Sequence, residues 1–173
     1  MSGFRIRQAL PGDAAALVEL AREVGAETEG WLISTRDWRG AGDERRYLRS
    51  LRRSRDAAVF VAETPAGIVG RLSVGRDPHP ASSHVADLGL MVARSHRRRG
   101  IGRALLERAV EWARGASVSK LELHVFPHNL PALVLYERFG FRREGYRESH
   151  YRRDGELVDA VLMAYDVTPT LQR

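Results

Sequence analysis

The chain has 173 residues, of which 43% are hydrophobic, and a formal net charge of +6 at pH 7. This length suits a single domain over residues 1–173, and this composition can build a continuous core, unlike that of a disordered chain. The absence of cysteine excludes a disulfide framework, a thiolate zinc site and a cysteine nucleophile. No apolar run reaches the roughly 18 residues of a membrane span and the first residues lack a signal-peptide pattern, so a cytoplasmic protein is expected.

The positive net charge predicts an anionic partner. Nucleic acid, acidic membrane and phosphate-rich cofactors all meet that condition. Arginine supplies much of the excess charge, and its planar guanidinium binds phosphate well. An arginine-rich surface can also reflect a GC-rich genome, so the arginines outside the central loop do not by themselves indicate a function.

The predicted elements are seven strands, with apolar and polar residues in alternation, and four helices, with an apolar stripe near the 3.6 period. In chain order the expected strands lie at residues 4–7, 57–63, 68–74, 84–92, 120–126, 141–151 and 157–167, and the expected helices at residues 14–25, 43–51, 102–114 and 130–139. Asp13 and Asn129 are placed to cap the helices that follow them. The order suits neither a doubly wound parallel sheet nor a helix bundle, and it predicts a mixed sheet covered by helices.

The most informative segment runs from Leu88 to Gly102, where a strand leads into a basic, glycine-bearing loop and then into an amphipathic helix. The first N–H groups of a helix have no intrahelical partner, and the helix dipole makes that end positive. A pyrophosphate suits such a place, and Gly100 and Gly102 would let its oxygens approach the backbone. The candidate pyrophosphate-binding residues are Arg97, Arg98, Arg99, Gly100, Ile101, Gly102 and Arg103.

Other phosphate-binding loops do not match this segment. A Walker A loop needs Gly-Lys-Ser/Thr, which is absent, and the dinucleotide pattern Gly-x-Gly-x-x-Gly fails because no glycine stands three residues after Gly102. An ordinary basic helix start would show the same short Arg-x-x-Gly-x-Gly pattern. The loop alone therefore leaves both interpretations open, and the order of strand, loop and helix favours the anion site.

The segment Arg97-Arg98-Arg99-Gly100-Ile101-Gly102 resembles the acyl-CoA signature Gln/Arg-x-x-Gly-x-Gly/Ala of the GCN5-related N-acetyltransferase (GNAT) superfamily. The segment from Asn129 to Phe141 is similar to the helix pattern N-x-x-A-x-x-x-Y-x-x-x-G-F of the same superfamily. The order of elements resembles that fold over nearly the whole chain. The resemblance implies an α+β GNAT fold, with a central mixed, mostly antiparallel seven-stranded sheet flanked by about four helices. It also implies acetyl-CoA as cosubstrate.

The same resemblance assigns roles to the residues of both motifs. The backbone of Leu90, Met91 and Val92 would pair with the pantetheine arm like an added strand, and the amides from Arg98 to Arg103 would hold the pyrophosphate. The remaining cofactor-binding candidates lie in the second motif and are Asn129, Ala132 and Tyr136, with Tyr136 near the sulfur. A backbone N–H of the preceding strand, such as that of Met91, would polarise the thioester carbonyl.

Acetyl transfer to an amine also needs an acid and a base. Tyr136 is the candidate acid, because a phenol can protonate a departing thiolate, and the alternative is that it only packs. Asp87 is the candidate base, since it is a carboxylate in an otherwise apolar strand, and relatives resembling phosphinothricin acetyltransferase carry Glu near this place. Asp87 has a shorter reach than Glu and needs burial to raise its pKa; otherwise it is a structural acceptor. His84 and Glu63 are weaker candidates for the base.

The expected acceptor is the primary amine of a small molecule, because two segments, 84–89 and 151–159, resemble bacterial enzymes that acetylate amino acids and their analogues. A carboxylate on the acceptor would need a cationic partner, and the candidates are Arg36, Arg71, Arg76 and His150. Glu27 and Glu29 would instead suit a polyamine or an aminoglycoside. A protein N-terminus or lysine is a further alternative, and a homodimer is expected because family members often dimerise.

Two other classes of function have weaker support. A nucleic-acid binder could use residues 94–103 with the pairs 45–46 and 52–53, but the central loop lacks interleaved aromatic residues for stacking. His124 and His128 are four residues apart, yet Pro127 lies between them and no carboxylate pattern accompanies them. We therefore expect no metal site, no nucleic-acid partner and no membrane partner, and direct transfer without an acyl-carrying nucleophile.

Overall fold

A computed structural model describes residues 3–33 and 38–167 and contains one seven-stranded sheet and four α-helices. The strands are β1 Arg5–Gln8, β2 Ala57–Thr64, β3 Gly67–Arg76, β4 Val85–Val92, β5 Lys120–Val125, β6 Arg142–Arg153 and β7 Glu156–Asp166. The helices are α1 Ala14–Gly25, α2 Ala41–Leu51, α3 Ile101–Gly115 and α4 Leu130–Phe139. The expected elements are confirmed, and their boundaries differ from the expected ones by one or two residues.

The strand order across the sheet is β1-β2-β3-β4-β5-β7-β6. Every neighbouring pair is antiparallel except β4 and β5, which are parallel. The mixed, mostly antiparallel sheet predicted from the sequence is therefore confirmed.

The single parallel pair is short. Its register contains only Val85↔Lys120, Ala86↔Leu121 and Asp87↔Glu122, after which β4 and β5 continue without pairing to each other. On its other edge β4 pairs with β3 from Ala86 to Val92. The two strands therefore part inside the sheet, and we call the opening between residues 88–92 and residues 123–125 the β4–β5 cleft.

The two faces of the sheet carry different helices. A Cβ on Gly70 of β3 would touch Ile101 and Leu105 of α3, whereas the next residue, Arg71, bonds to Glu44 of α2. Because successive side chains of a strand point to opposite faces, α3 and α2 cover opposite faces. Residues that pair across neighbouring strands share a face. Asp87 pairs with Gly75, which is on the same face of β3 as Arg71, so Asp87 lies on the α2 face, and Leu90 lies on the α3 face.

One expected cap is wrong. Asp13 does not cap α1 with its side chain. Its carboxylate accepts hydrogen bonds from the Leu10 backbone N–H and from both terminal nitrogens of Arg7. The ion pair with Arg7 orients the Asp13 carboxylate toward β1. This ion pair therefore connects β1 to the start of α1. Asn129 does cap α4, since its Oδ1 accepts from the Ala132 N–H at 3.2 Å.

Candidate active site

The basic loop ends in a helix start with free amides. Gly100 precedes α3 with φ +83°, and the first helical bond runs from the Ala104 N–H to the Gly100 carbonyl at 3.0 Å. The N–H groups of residues 101–103 therefore have no acceptor within the helix. A Cβ at Gly100 would meet nothing within 4 Å, so the left-handed backbone, and not lack of space, demands glycine here.

Gly102 has a packing role in addition to the one its sequence position suggests. A Cβ at this position would lie 2.8 Å from Cδ2 of Leu135 on α4, closer than packed atoms approach. Gly102 therefore lets α3 and α4 pack together. The sequence interpretation, room for a phosphate oxygen, is a separate property that remains a prediction.

The arginines of the loop divide into two groups. Arg98 and Arg99 are exposed and make no ion pair with any residue that the structure describes. Arg97 points back into the protein, where its Nη1 and Nη2 donate to Glu27 at 2.7 and 2.6 Å and its Nε donates to the Val92 carbonyl at 3.0 Å. Arg98 and Arg99 are thus available for an anion, whereas the Arg97 guanidinium is already bound.

Glu27 and Glu29 lie in the segment after α1, and each is paired to an arginine of the loop. Glu27 is nearly buried against Arg97, whose guanidinium also lies 4.9 Å from the Trp31 ring centre. Glu29 pairs with the exposed Arg94 at 3.2 Å. These ion pairs join the segment after α1 to the loop, and Glu27, held by both terminal nitrogens of Arg97, is not free to bind a cationic acceptor.

This difference in burial predicts unequal effects on stability. Glu27→Ala should lower the free energy of unfolding by about 2 kcal/mol, because it leaves a largely buried guanidinium without its partner. Glu29→Ala is the matched control and should cost less than about 1 kcal/mol, because its ion pair is exposed to solvent. Urea denaturation of both variants measures the difference, and equal losses would contradict the anchoring role of Glu27.

The direction of the β4 amides follows from two observed bonds. The Ala93 N–H donates to Val69 on the β3 side, and the His84 carbonyl accepts from Lys120 on the β5 side. Because backbone groups alternate along a strand, the even-numbered residues Leu88 and Leu90 present N–H and C=O to the β4–β5 cleft. The N–H of Met91 points toward β3, so the suggestion that it polarises a carbonyl in the cleft is wrong, and that of Leu90 is the available donor.

Tyr136 lies on the buried face of α4 and is 6% exposed. Its ring packs against Phe141 with 5.7 Å between ring centres, and its hydroxyl makes no hydrogen bond to any residue in the described part of the chain. Burial raises the pKa of the Tyr136 hydroxyl. The group is therefore protonated near neutral pH and free to donate.

The second half of the candidate site is a polar cluster where β4 and β5 part. Asp87 and Glu122 are register partners on the same face, and His124 follows on that face two residues later. The Nδ1 atom of His124 lies 2.5 Å from the hydroxyl oxygen of Tyr151 on β6, and His150 packs edge-on against both rings. We call residues 87, 122, 124, 150 and 151 the acceptor cluster.

Asp87 has the pKa of a usable base. Asp87 is exposed to solvent at the point where β4 and β5 part, but partial burial of its carboxylate, and then the nearby Glu122 charge, raise its pKa to about 6, with Arg147 opposing the rise. Burial, followed by the charge of Arg147, lowers the pKa of His124. At pH 7 the cluster therefore contains an ionised Asp87 of raised basicity beside a neutral His124.

The other candidate residues lie elsewhere or are occupied. Glu63 is held by Arg7 and Arg5, which lower its pKa to about 2, so it is a poor base. His84 is exposed in the turn before β4. Arg71 is 4% exposed, bonds to Glu44 at 3.0 Å and stacks on Trp38.

Arg76 bonds to Asp56 and to the carbonyls of Ser83 and Ala116. Its guanidinium is therefore committed to three structural partners. Arg36 lies outside the described residues. Of the four cationic candidates, only His150 is observed in the acceptor cluster.

Sequence reasoning missed four residues near Asp87, which are Glu122, His124, Arg147 and Tyr151. The alternation of Lys120, Glu122 and His124 with apolar residues predicted a polar strand face, and it did not show that this face adjoins Asp87. His124 was considered only as a metal ligand. Among residues 3–33 and 38–167, no group of three or more His, Asp or Glu side chains is arranged to hold a metal ion.

A model of the acetyltransferase (GNAT) family matches residues 27–141, which include the basic loop, Asp87 and Tyr136. The chain belongs to the GNAT family. Acetyl-CoA is the cofactor of this family. The fold agrees, because the GNAT acetyltransferase structure from Streptococcus pneumoniae superposes with a TM-score of 0.86 at 27% identity, covering 95% of this chain and 99% of that one.

Two curated GNAT proteins are also similar in sequence. The L-amino acid N-acetyltransferase AaaT of Escherichia coli is 38% identical over 109 residues, which are 61% of this chain and 65% of that protein. The N-alpha-acetyltransferase RimI of Mycobacterium tuberculosis is 39% identical over 103 residues, 60% of each chain. The chain thus matches less than two thirds of the length of either relative.

In the part of the chain that the structure describes, no helix is long and apolar enough to span a membrane.

Proposed function

We propose that this GNAT-family chain transfers an acetyl group from acetyl-CoA to the primary amine of a small molecule, an amino acid or an analogue, by direct transfer. The observation that carries the proposal is the β4–β5 cleft, with free helix amides near one end and Asp87, of raised pKa, at the other. An anionic donor and a protonated amine would approach each other across this opening. The similarity to AaaT, an L-amino acid N-acetyltransferase, favours the acceptor class.

The donor half of the site would bind acetyl-CoA in two places. The amides of residues 101–103, with the unpaired Arg98 and Arg99, suit the pyrophosphate, and Gly100 sets the backbone there. The backbone N–H and C=O groups of Leu88 and Leu90, which face the β4–β5 cleft, suit hydrogen bonds to the pantetheine arm, like those of an added strand. Asn129 and Ala132 remain candidates at the start of α4, although the Asn129 Oδ1 is already used as a cap.

The chemistry would be divided among three groups. Bound acetyl-CoA supplies the acetyl group as a thioester. Asp87 accepts one proton of the incoming ammonium, and the freed amine nitrogen bonds to the thioester carbon while the Leu90 N–H donates to the carbonyl oxygen. As the carbon–sulfur bond breaks, the Tyr136 hydroxyl donates its proton to the leaving sulfur and recovers one from the new amide nitrogen. In direct transfer both substrates are bound together, with the amine facing the thioester.

A protein N-terminus is the second candidate acceptor, because RimI of Mycobacterium tuberculosis is an N-alpha-acetyltransferase of comparable identity. A thiol-release assay with acetyl-CoA separates the two when L-amino acids and peptides with matching first residues are offered in parallel. We expect turnover on free amino acids. Turnover on peptides alone would favour the second candidate, and no turnover without stabilisation by acetyl-CoA would contradict the acetyltransferase proposal.

The role of Tyr136 has a direct test. Tyr136→Phe should lower kcat by about 10²-fold, because the leaving thiolate loses its proton donor, while Kd for acetyl-CoA stays within a few fold. Tyr165→Phe is the matched control, since Tyr165 packs in the same aromatic group with 5.4 Å to Phe141. An unchanged kcat in Tyr136→Phe would leave Tyr136 a packing residue.

The expected homodimer is a further prediction of the proposed function. Sedimentation of the purified chain at micromolar concentration, with and without acetyl-CoA, tests it.

A further inference from the structure

Arg147 lies on the same face of the sheet as the acceptor cluster. Its register partner on β7 is Ala160, and the register partner of His124 is Leu162. Ala160 and Leu162 are two residues apart on one strand, so their side chains share a face. The side chain of each cross-strand partner lies on the same face as the residue it pairs with. Arg147 therefore projects from the sheet on the side where Asp87 and His124 project.

The backbone around Arg147 is held by a bulge in β6. The register shifts between Arg147 and Tyr151, and Ser149 has a left-handed backbone with φ +51°. Asp159 on β7 fixes this bulge, because its carboxylate accepts from the Ser149 N–H at 2.6 Å and from the Tyr146 hydroxyl at 2.7 Å. The bulge thus places Arg147 and Tyr151 at set positions beside the cleft.

Arg147 differs from the other arginines of β6 in having no partner of its own. Arg142 pairs with Asp166, Arg143 with Glu137, and Arg153 donates to the carbonyl of Gly30. Arg147 forms no hydrogen bond or ion pair with any residue in the ranges 3–33 and 38–167. Its exposed guanidinium is therefore free to bind an anionic group.

The free guanidinium is close enough to act on the acceptor cluster. Its charge opposes the rise in the pKa of Asp87 that burial and Glu122 cause, and it adds to the fall in the pKa of His124 that burial causes. It also opposes the rise in the pKa of Tyr151. The face of the sheet that carries the cluster thus holds a carboxylate and an unpaired cation whose charges act on each other.

We propose that Arg147 binds the carboxylate of the acceptor while Asp87 receives its ammonium, so that the acceptor is a free α-amino acid. This inference rests on the proposed acetyl transfer and adds to it a residue that selects the substrate class. A zwitterionic α-amino acid carries its ammonium and its carboxylate on one carbon atom, and this pair of charges complements an Asp and an Arg on one face of the sheet. Arg71 and Arg76 are excluded from this role because Glu44 and Asp56 already hold their guanidinium groups.

The test compares acceptors with and without a carboxylate. L-amino acids and the corresponding L-amino acid amides, which keep the amine and side chain, are assayed by thiol release with Arg147→Ala and the parent chain. We expect Arg147→Ala to raise KM for the preferred amino acid by about 10- to 100-fold with kcat within a few fold, because a charged hydrogen bond is lost. KM for the matching amide should not change, and Arg147→Lys should recover part of the loss.

Arg143→Ala is the matched control, because Arg143 lies on the same strand and is tied to Glu137 on α4. It should leave both KM values unchanged. Equal losses on acid and amide, or an unchanged KM for the acid in Arg147→Ala, would overturn the role of Arg147. Turnover by the parent chain only on peptides or polyamines would also overturn it and leave acetyl transfer standing, whereas no turnover on any amine together with no acetyl-CoA binding would refute the proposed function itself.

Discussion

Gly100→Glu should abolish measurable acetyl-CoA binding, raising Kd by more than about 100-fold. The substitution puts a carboxylate in front of the amides of residues 101–103, where the pyrophosphate is expected, and replaces attraction by charge repulsion. It also forces a non-glycine residue to adopt φ +83°, which costs on the order of 1 kcal/mol. Titration calorimetry with acetyl-CoA measures the change.

A second glycine separates the two effects. Gly155 has φ +87° and, like Gly100, would meet nothing within 4 Å on gaining a Cβ. It lies in the turn between β6 and β7. Gly155→Glu therefore carries the same backbone strain and charge and should leave Kd for acetyl-CoA unchanged. Binding by Gly100→Glu within threefold of the parent affinity would contradict the loop assignment.

Asp87→Asn should lower kcat by about 10²- to 10³-fold, because the amide cannot accept the proton of the incoming ammonium. In the parent chain the base is active only when ionised. Since the pKa of Asp87 is raised to about 6, kcat/KM should rise with pH through about 6 and level off above it. The variant should lose this step, and a pH profile from 5 to 9 tests both statements.

Stability distinguishes a lost base from a damaged fold. The pKa of Asp87 in the folded chain is above its ordinary value, so its protonated form is favoured by folding. That contribution is fully present at low pH and is lost as the pH rises through about 4 to 6. Asp87→Asn should therefore be no less stable than the parent at pH 7, and a clear loss of stability would indicate a structural role.

The geometry of the basic loop could be predicted from the sequence because it is local. The loop, the free amides and the demand for glycine at position 100 follow from one continuous segment entering a helix. The role of Gly102 could not be predicted, because it depends on how closely Leu135 of α4 approaches. The pairing of Arg97 with Glu27 joins residues 70 positions apart, and no pattern in the sequence indicates it.

The acceptor half could be predicted only in part. Asp87 is a candidate because a carboxylate interrupts an apolar strand, but Glu122 and His124 lie on β5 and Arg147 on β6, and these two strands are not neighbours in the sheet. These side chains share a face because of the register between β4 and β5 and because of the strand order, in which β7 lies between β5 and β6. The direction of the Met91 N–H likewise depends on strand pairing, which composition and alternation do not determine.

The parting of β4 and β5 also has a mechanical consequence. In the described part of the chain, backbone pairing joins the block β1–β4 to the block β5–β7 only at residues 84–87 and 119–122, so few backbone hydrogen bonds hold the two blocks together. A ligand bound between the two blocks would add contacts to both and so hold them together. Acetyl-CoA should therefore slow amide hydrogen exchange at Leu88 and Leu90 and also stiffen β5 and β7, which carry no part of the pyrophosphate loop.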